Sequence, residues 1–414
     1  MSDKPIRICV ATSYGATQEP RGPRYAAELA RMDPRFQVTF IDCVARGGER
    51  APSAEFRGVG NLQWKSWMFP WRGGGRMRLT AEKIRQRLAE RAFLRSTELR
   101  TGLLSTRSIG LQEMLLAERA DLYFGFNIDT LLPVYTAARR AGAPFLFDCH
   151  EIHAEMSEDQ PEAERAIIRA VQRRCLPGCA LVTAASPQAA ARIEHDFGIS
   201  GVVPLLNAAP LEAVTPRECE EELALYWRNY TIDLGPRGPD DILRAMPLLP
   251  PDVRLYLQGF PSRYNAGRVE QLILELGIQE RVTILPPYRI EDAVQAAVPY
   301  CVGLSLQSPA IVNMDLSSTN KFFEYAMAGL AIVSSKTAGH RDLVTSARLG
   351  LLYESGDAED LARQIRRLYE DRALLAAMRA NARRYAEGEG NLQFQARRFR
   401  EAFREHVLPL LERG

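Results

Sequence analysis

The stretch that decides the fold runs from Leu304 to Val344 and reads LSLQSPAIVNMDLSSTNKFFEYAMAGLAIVSSKTAGHRDLV. The short apolar run Val302 to Leu306 predicts a buried strand. The polar loop after it closes on Ser317-Ser318-Thr319-Asn320, residue types favoured where a helix begins. The helix carries Lys321, Phe322, Phe323, Glu324 and Tyr325, ends at Gly329, and gives way to a second apolar run, Ala331 to Ser335. Strand, helix and strand at this spacing predict a parallel pair joined by a crossover helix. The start of that helix also has chemical character. Its first N–H groups lack intrahelical partners, and Lys321 adds a cation, so together they suit a diphosphate. Glu324 can accept hydrogen bonds from the vicinal hydroxyls of a ribose, or merely complement the helix dipole.

The same alternation extends outward in both directions. On the N-terminal side, strands are expected at Ile6–Ala11, Gln37–Ile41, Asp121–Phe126, Pro144–Asp148, Ala180–Ala184 and Val202–Leu206. Helices are expected at Tyr25–Met32 and Leu132–Ala141. Asn207–Pro216, rich in proline and small residues, predicts a linker. Beyond it, strands are expected at Tyr230–Leu234, Val253–Gln258 and Val282–Leu285. Helices are expected near Pro239–Ala245, Ala266–Leu276 and Ala358–Ala386. The pattern predicts an α/β chain of two tandem, Rossmann-like, doubly wound domains, residues 1–210 and 217–390, facing across a cleft that holds the ligands.

Composition narrows the function. The 414 residues are 46% hydrophobic and 25% charged, with a net charge of +2, which excludes a disordered polyelectrolyte and argues against a nucleic-acid partner. Seven cysteines stand without a CxxC pair, several inside strand-like runs, which predicts reduced thiols and a cytoplasmic protein. No signal-peptide core or transmembrane stretch is read. GxGxxG, Walker A and GxSxG are absent, and His150-Glu-Ile-His153 is one residue short of HExxH.

Asn320-Lys-Phe-Phe-Glu-Tyr-Ala-Met-Ala-Gly-Leu-Ala-Ile-Val333 resembles the nucleotide-sugar signature of GT-B glycosyltransferases of retaining family 4, roughly P-N-K-x-F-E-Y-x-A-x-G-x-P-V-V. Other segments are similar in register: Arg237-Gly238, the strand ending at Gly259, Glu280–Leu285, Asn127-Ile-Asp129-Thr-Leu, and Asp148-Cys-His150-Glu151. Asn391–Leu411 resembles the helix that packs back on the first domain, giving a C-terminal segment 391–414. The resemblance implies sugar transfer with retention from a nucleoside-diphosphate sugar to a carbohydrate, lipid-linked or small-molecule acceptor, in polysaccharide, glycolipid or other glycoconjugate synthesis. It implies a donor site of Arg237, Gly259, Ser318, Thr319, Asn320, Lys321 and Glu324, with Arg237 and Lys321 stabilising the departing phosphate. It implies that His150 meets the sugar and that Glu151, Gly22 and Asp129 serve the sugar or acceptor. Gly22 and Arg24 are placed in the loop after the first strand. Two cations and a helix terminus make a metal or other cofactor unnecessary, and the departing phosphate can take the acceptor proton.

Leu316 stands where the family often carries a first glutamate. That departure bears on donor identity and keeps two alternatives open: a GT-B nucleotide-sugar epimerase, and a catalytically silent GT-B scaffold for a partner transferase. One segment stands apart. Between Arg72 and Arg107 lie ten Arg or Lys and three Glu, a local +7 that leaves −5 for the rest of the chain. Trp64, Trp67 and Trp71 precede it, and Ala81, Ile84, Leu88, Ala92 and Leu99 form an apolar stripe within it. Residues 61–107 therefore predict either a peripheral membrane contact at the inner face of the membrane or a core-packed element with a solvated basic face.

Overall fold

The computed structural model describes residues 4–45, 50–69, 76–219, 222–262 and 267–413. The chain divides into two compact units, residues 1–205 with 396–414, and residues 206–395.

The first unit holds a seven-stranded parallel sheet. Its strands are β1 (Ile6–Thr12), β2 (Phe36–Ala45), β3 (Leu62–Phe69), β4 (Leu122–Phe126), β5 (Phe145–Cys149), β6 (Leu181–Ala184) and β7 (Val203–Pro204), in the order β3-β2-β1-β4-β5-β6-β7. β1, β4 and β5 are buried almost throughout, as strands covered on both faces must be. Helix Leu392–His406 contributes Phe399, Phe403 and the following Val407 to this unit's core beside Tyr25, Phe36 and Phe124. Gly22 and Arg24 lie inside helix Arg21–Met32 and not in a loop. Glu19 is the reason: its carboxylate accepts from the N–H groups of Arg21 (2.7 Å) and Gly22 (2.9 Å), so the helix starts earlier than its apolar pattern suggests.

The second unit holds six parallel strands: β8 (Ala224–Ile232), β9 (Arg254–Pro261), β10 (Val282–Leu285), β11 (Val302–Ser305), β12 (Ala331–Ser335) and β13 (Gly350–Tyr353), ordered β10-β9-β8-β11-β12-β13. Helix Asn320–Met327 packs so closely on β11 that a Cβ at Gly303 would lie 2.4 Å from the Tyr325 ring. Helix Ala358–Glu370 is separated from Arg372–Gly388 by Asp371, whose side chain accepts from Leu374 N–H and starts the second helix; one continuous helix had been expected. Ala266, the predicted start of the helix found at Arg268–Glu275, lies outside the described residues.

A further expectation is corrected. Cys219 and Cys301 form a disulfide, with Cα atoms 5.9 Å apart, so the reading of seven reduced thiols fails. The pair is 82 residues apart in sequence, and only the fold brings the segment before β8 against the start of β11. The compartment drawn from reduced thiols loses that support. Cys9, Cys149 and Cys175 are free and buried, and Cys43 is buried as well.

Residues 61–107 divide between their two expected roles, and much of the segment is framework. Leu62–Phe69 is β3, paired with β2 from Val38↔Leu62 to Ala45↔Phe69. Trp64 Nε1 donates to Asp42 at 3.1 Å, and Trp67 lies against Gly110, where a Cβ would come within 2.2 Å of its ring. Pro70, Trp71 and Arg72–Gly75 lie outside the described residues. Helix Arg76–Ser96 ends before Leu99 and turns Ala89 inward, leaving Ile84 and Leu88 about half exposed (52% and 53%). The predicted apolar stripe is therefore on the open side of the helix. No described helix is long and apolar enough to cross a membrane.

Candidate functional site

In the second unit the predicted donor residues gather at the carboxyl ends of β8 and β11, where the strand order reverses. β8 carries Trp227 and Arg228, followed by the loop with Arg237 and Gly238. That loop is tight: Gly238 N–H donates to Gly235 O at 2.8 Å, and a Cβ at Gly238 would sit 2.3 Å from Asp233 O. Arg237 Nε is buried and has no hydrogen-bond partner. Helix Asn320–Met327 brings Lys321 and Glu324 to the same place. Lys321 is 5% exposed, its ammonium lies 5.7 Å from the centre of the Trp227 ring, and Nζ has no hydrogen-bond partner. Burial, then the charges of Arg228 and Arg237, hold its pKa well below the ordinary lysine range.

Arg228 is a site residue that sequence reasoning missed. Its guanidinium forms an ion pair with Glu324, stacks over Tyr288 at 5.7 Å, and its backbone N–H donates to the Tyr325 hydroxyl at 3.1 Å. The available signal was a charged residue ending the apolar run Leu223–Trp227. Three basic side chains thus stand against one carboxylate in a largely desolvated place. Such an arrangement is costly unless an anion completes it.

The remaining donor residues divide. Thr319 occupies the N-cap position without a side-chain capping bond, and its buried Oγ1 has no hydrogen-bond partner. Asn320 is exposed. Ser318 turns instead to Gly339 O at 2.9 Å, a framework contact. Gly259 allows β9 to approach β8, since a Cβ there would lie 2.4 Å from Asn229 O. Leu316 ends the turn Val312–Leu316, while its neighbour Asp315 accepts from Ala338 N–H at 2.9 Å and so serves the start of helix Ala338–Ser346. His340 is fully buried, hydrogen-bonded to Ser334 (2.9 Å) and stacked on Phe322; burial depresses its pKa to about 3.

In the first unit the centre is Asp148, the last buried carboxylate of β5. It receives Arg21 Nε on both oxygens (3.0 and 3.1 Å) and Thr183 Oγ1 at 2.7 Å, and its Oδ1 lies 3.5 Å from His150 Nδ1. Burial opposes its charge, but Arg21, His150 and Thr183 outweigh burial and hold the carboxyl below its usual range. His150 is also buried. Burial lowers its pKa, yet Asp148, Glu151 and Glu19 raise it above the ordinary imidazole value on balance.

A separate cavity of about 380 Å³ opens at the ends of β1, β4 and β5, lined by Tyr14, Asn127, Asp129, Glu151 and His153 among others. Asn127 enters it with φ +69° and ψ 146°, a conformation rarely adopted by non-glycine residues, and presents Asp129 on the first turn of helix Ile128–Ala141. Asp129 and Glu151 therefore share the cavity, whereas Gly22 sits in a helix turn capped by Glu19. Among the described residues no group of three His, Cys, Asp or Glu is arranged to hold a metal ion.

Two parallel doubly wound units, one carrying a cluster of buried basic groups at its switch point, define an α/β protein of the GT-B class. Family models agree. The "Glycosyl transferase 4-like domain" matches residues 23–205 and "Glycosyl transferases group 1" matches residues 232–371. The chain belongs to the group 1 glycosyl transferases with the GT-B fold. A D-inositol 3-phosphate glycosyltransferase of Rhodococcus opacus is 30% identical over 162 residues, 36% of this chain and 34% of that protein. One from Catenulispora acidiphila is 28% identical over 37% of this chain and 38% of its own length. The matches thus span little more than a third of these relatives. Among solved structures, Anabaena HepE in complex with UDP and glucose aligns with a TM-score of 0.67 at 16% identity, over 97% of this chain and all of that one. Sucrose-phosphate synthase from Thermosynechococcus elongatus aligns at 0.70 and 14% identity, over 97% and 98%. Likeness at that identity is likeness of fold.

Proposed function

We propose that this chain transfers a sugar from a nucleoside-diphosphate sugar to an acceptor, with the second unit holding the donor and the first the acceptor. The observation that carries this reading is Lys321: a buried ammonium without a hydrogen-bond partner, beside Arg228 and Arg237. A pyrophosphate supplies the negative charge these groups lack. Arg237, Lys321 and the helix start at Asn320 would then stabilise charge developing on the leaving phosphate. His150 would meet the donor sugar, with Asp148 fixing its ring. Transfer with retention through a front-face route, without a metal or a protein base, is the mechanism that suits this inventory. HepE is solved with UDP, which makes uridine nucleotides the first donors to test.

The test is calorimetry of the full chain with UDP, GDP and dTDP. One of them is expected to bind, and Glu324→Gln, which removes the carboxylate proposed to accept from the ribose hydroxyls, is expected to weaken it by about tenfold. Binding of none of the three would end this reading. Leu316 favours one second reading, a silent scaffold; nucleotide binding with no consumption of any labelled donor would select it.

We also propose that helix Arg76–Ser96 contacts an anionic membrane surface, as befits a lipid-linked acceptor. Ile84 and Leu88 are exposed beside Lys83, Arg85, Arg87 and Arg91, the pairing of apolar and basic groups that interfacial helices use. The full chain is expected to float with phosphatidylglycerol vesicles. Ile84→Glu/Leu88→Glu should reduce the floated fraction by about tenfold while leaving nucleotide affinity unchanged. Equal flotation of both proteins would reject the contact.

A further inference from the structure

The cavity of the first unit has walls of one sign. Asp129, Glu151, Asp159 and Glu164 all line it, and no Arg or Lys does. Of the nearby cations, Arg107 acts on Asp129 from outside the lining and Arg165 is engaged by carbonyls. Arg107 lies over the Tyr14 ring and donates to Ser13 O, while Arg165 gives its guanidinium to the carbonyls of Ser157, Glu158 and Gln160. His153 completes the wall: it is 7% exposed, and its Nε2 is buried with no hydrogen-bond partner. Burial lowers its pKa to about 4, so it adds no positive charge near neutral pH. A buried polar atom without a partner, beside four carboxylates, marks a place where a ligand brings hydrogen-bond donors. The volume lies within the ~300–1,000 Å³ usual for small-molecule pockets.

We infer that the end of the acceptor entering this cavity is a polyol bearing an ammonium group, such as an amino sugar, and carries no phosphate or carboxylate. Its hydroxyls satisfy His153 Nε2 and the carboxylates, its ammonium offsets their charge, and an anionic group there meets like charge on every side. The inference rests on the first unit being the acceptor-binding half of a glycosyltransferase.

The experiment is saturation-transfer NMR on the full chain with glucosamine, methyl glucoside and glucose 6-phosphate, with and without UDP. Glucosamine is expected to bind at least about tenfold more tightly than glucose 6-phosphate, with methyl glucoside between. Asp159→Asn/Glu164→Gln, two exposed positions whose replacement leaves the core intact, should cut that contrast by about threefold or more. Absence of glucosamine binding, equal or tighter binding of glucose 6-phosphate, or a contrast unchanged in the variant would overturn the inference. UDP, GDP and dTDP calorimetry on the same preparation separates the two claims. Nucleotide binding with the acceptor preference reversed refutes only this inference; glucosamine binding with none of the nucleotides bound refutes only the donor reading.

Discussion

Lys321→Met should lose nucleoside-diphosphate binding and yet leave the free protein as stable as before, or more so. The two halves of that result have one cause. In the free protein the Lys321 amine is buried beside two cations and without a hydrogen-bond partner, so charging it there is a burden on the fold. Methionine keeps the length and apolar contact of the side chain and removes the charge. When a diphosphate binds, the same ammonium gains an anion in a desolvated place, where a charge-assisted hydrogen bond is strongest. Loss of that contact should weaken affinity by about tenfold to a hundredfold, and turnover by about 10²- to 10³-fold if the cation stabilises the departing phosphate. Urea unfolding and calorimetry on one sample read both effects. The depressed pKa sets the sign of the pH dependence. Between the folded value and the ordinary lysine value, the unfolded chain holds a proton that the folded chain lacks, so stability rises with pH through that window. Lys321→Met should flatten the rise. Nucleotide binding, which favours the ammonium, should take up protons, visible as a dependence of the binding enthalpy on the buffer. A variant both destabilised and undiminished in nucleotide binding would place Lys321 in the framework instead.

What the sequence made legible follows the range of the forces involved. Asn320–Met327 and Ala331–Ser335 were readable to the residue because their signals are local: polar residues before the helix, Gly329 after it, and an apolar run beyond. β8 was not. The strand was expected at Tyr230–Leu234, but it spans Ala224–Ile232, because Arg228 and Asn229 interrupt its apolar pattern. Arg228 pairs with Glu324 in the candidate site, so one of the residues that hid the strand belongs to that cluster. Arg228 could be assigned to Glu324 only once a strand and a helix nearly a hundred residues apart had been packed together. The Cys219–Cys301 bridge and the Arg21–Asp148 pair are of the same kind, each closing a long loop that no spacing rule marks. The segment from Asn61 left two readings open for a different reason. Trp64 and Trp67 are three residues apart and so lie on opposite faces of a strand, a spacing that shows no two-residue alternation, and only the pairing with β2 assigns them to the sheet.

Asp148→Asn is the other change expected to have a large effect, through the fold as well as the site. The carboxylate is fully buried and holds Arg21 by two hydrogen bonds, with Thr183 and His150 on its remaining sides. An amide keeps the shape but leaves the buried guanidinium without its counter-charge, which should destabilise the chain by about 3–5 kcal/mol. Arg21→Met/Asp148→Leu removes both charges and should recover much of that loss, since well-packed apolar groups can replace a buried pair. His150 distinguishes this account from a general packing defect. Its raised pKa depends on Asp148 against the opposing effect of burial, so in either variant the imidazole should titrate lower, as read by proton NMR. The linkage has two arms. The lowered carboxyl contributes stability that is present above the ordinary carboxylate range and lost as pH falls through its folded value. The raised imidazole contributes stability that is present below its ordinary value near 6.5 and lost as pH rises through its folded value. Both arms should flatten in Asp148→Asn. If His150 titrates unchanged while stability falls, Asp148 acts on Arg21 alone, and the ring that is proposed to meet the sugar is held by something else.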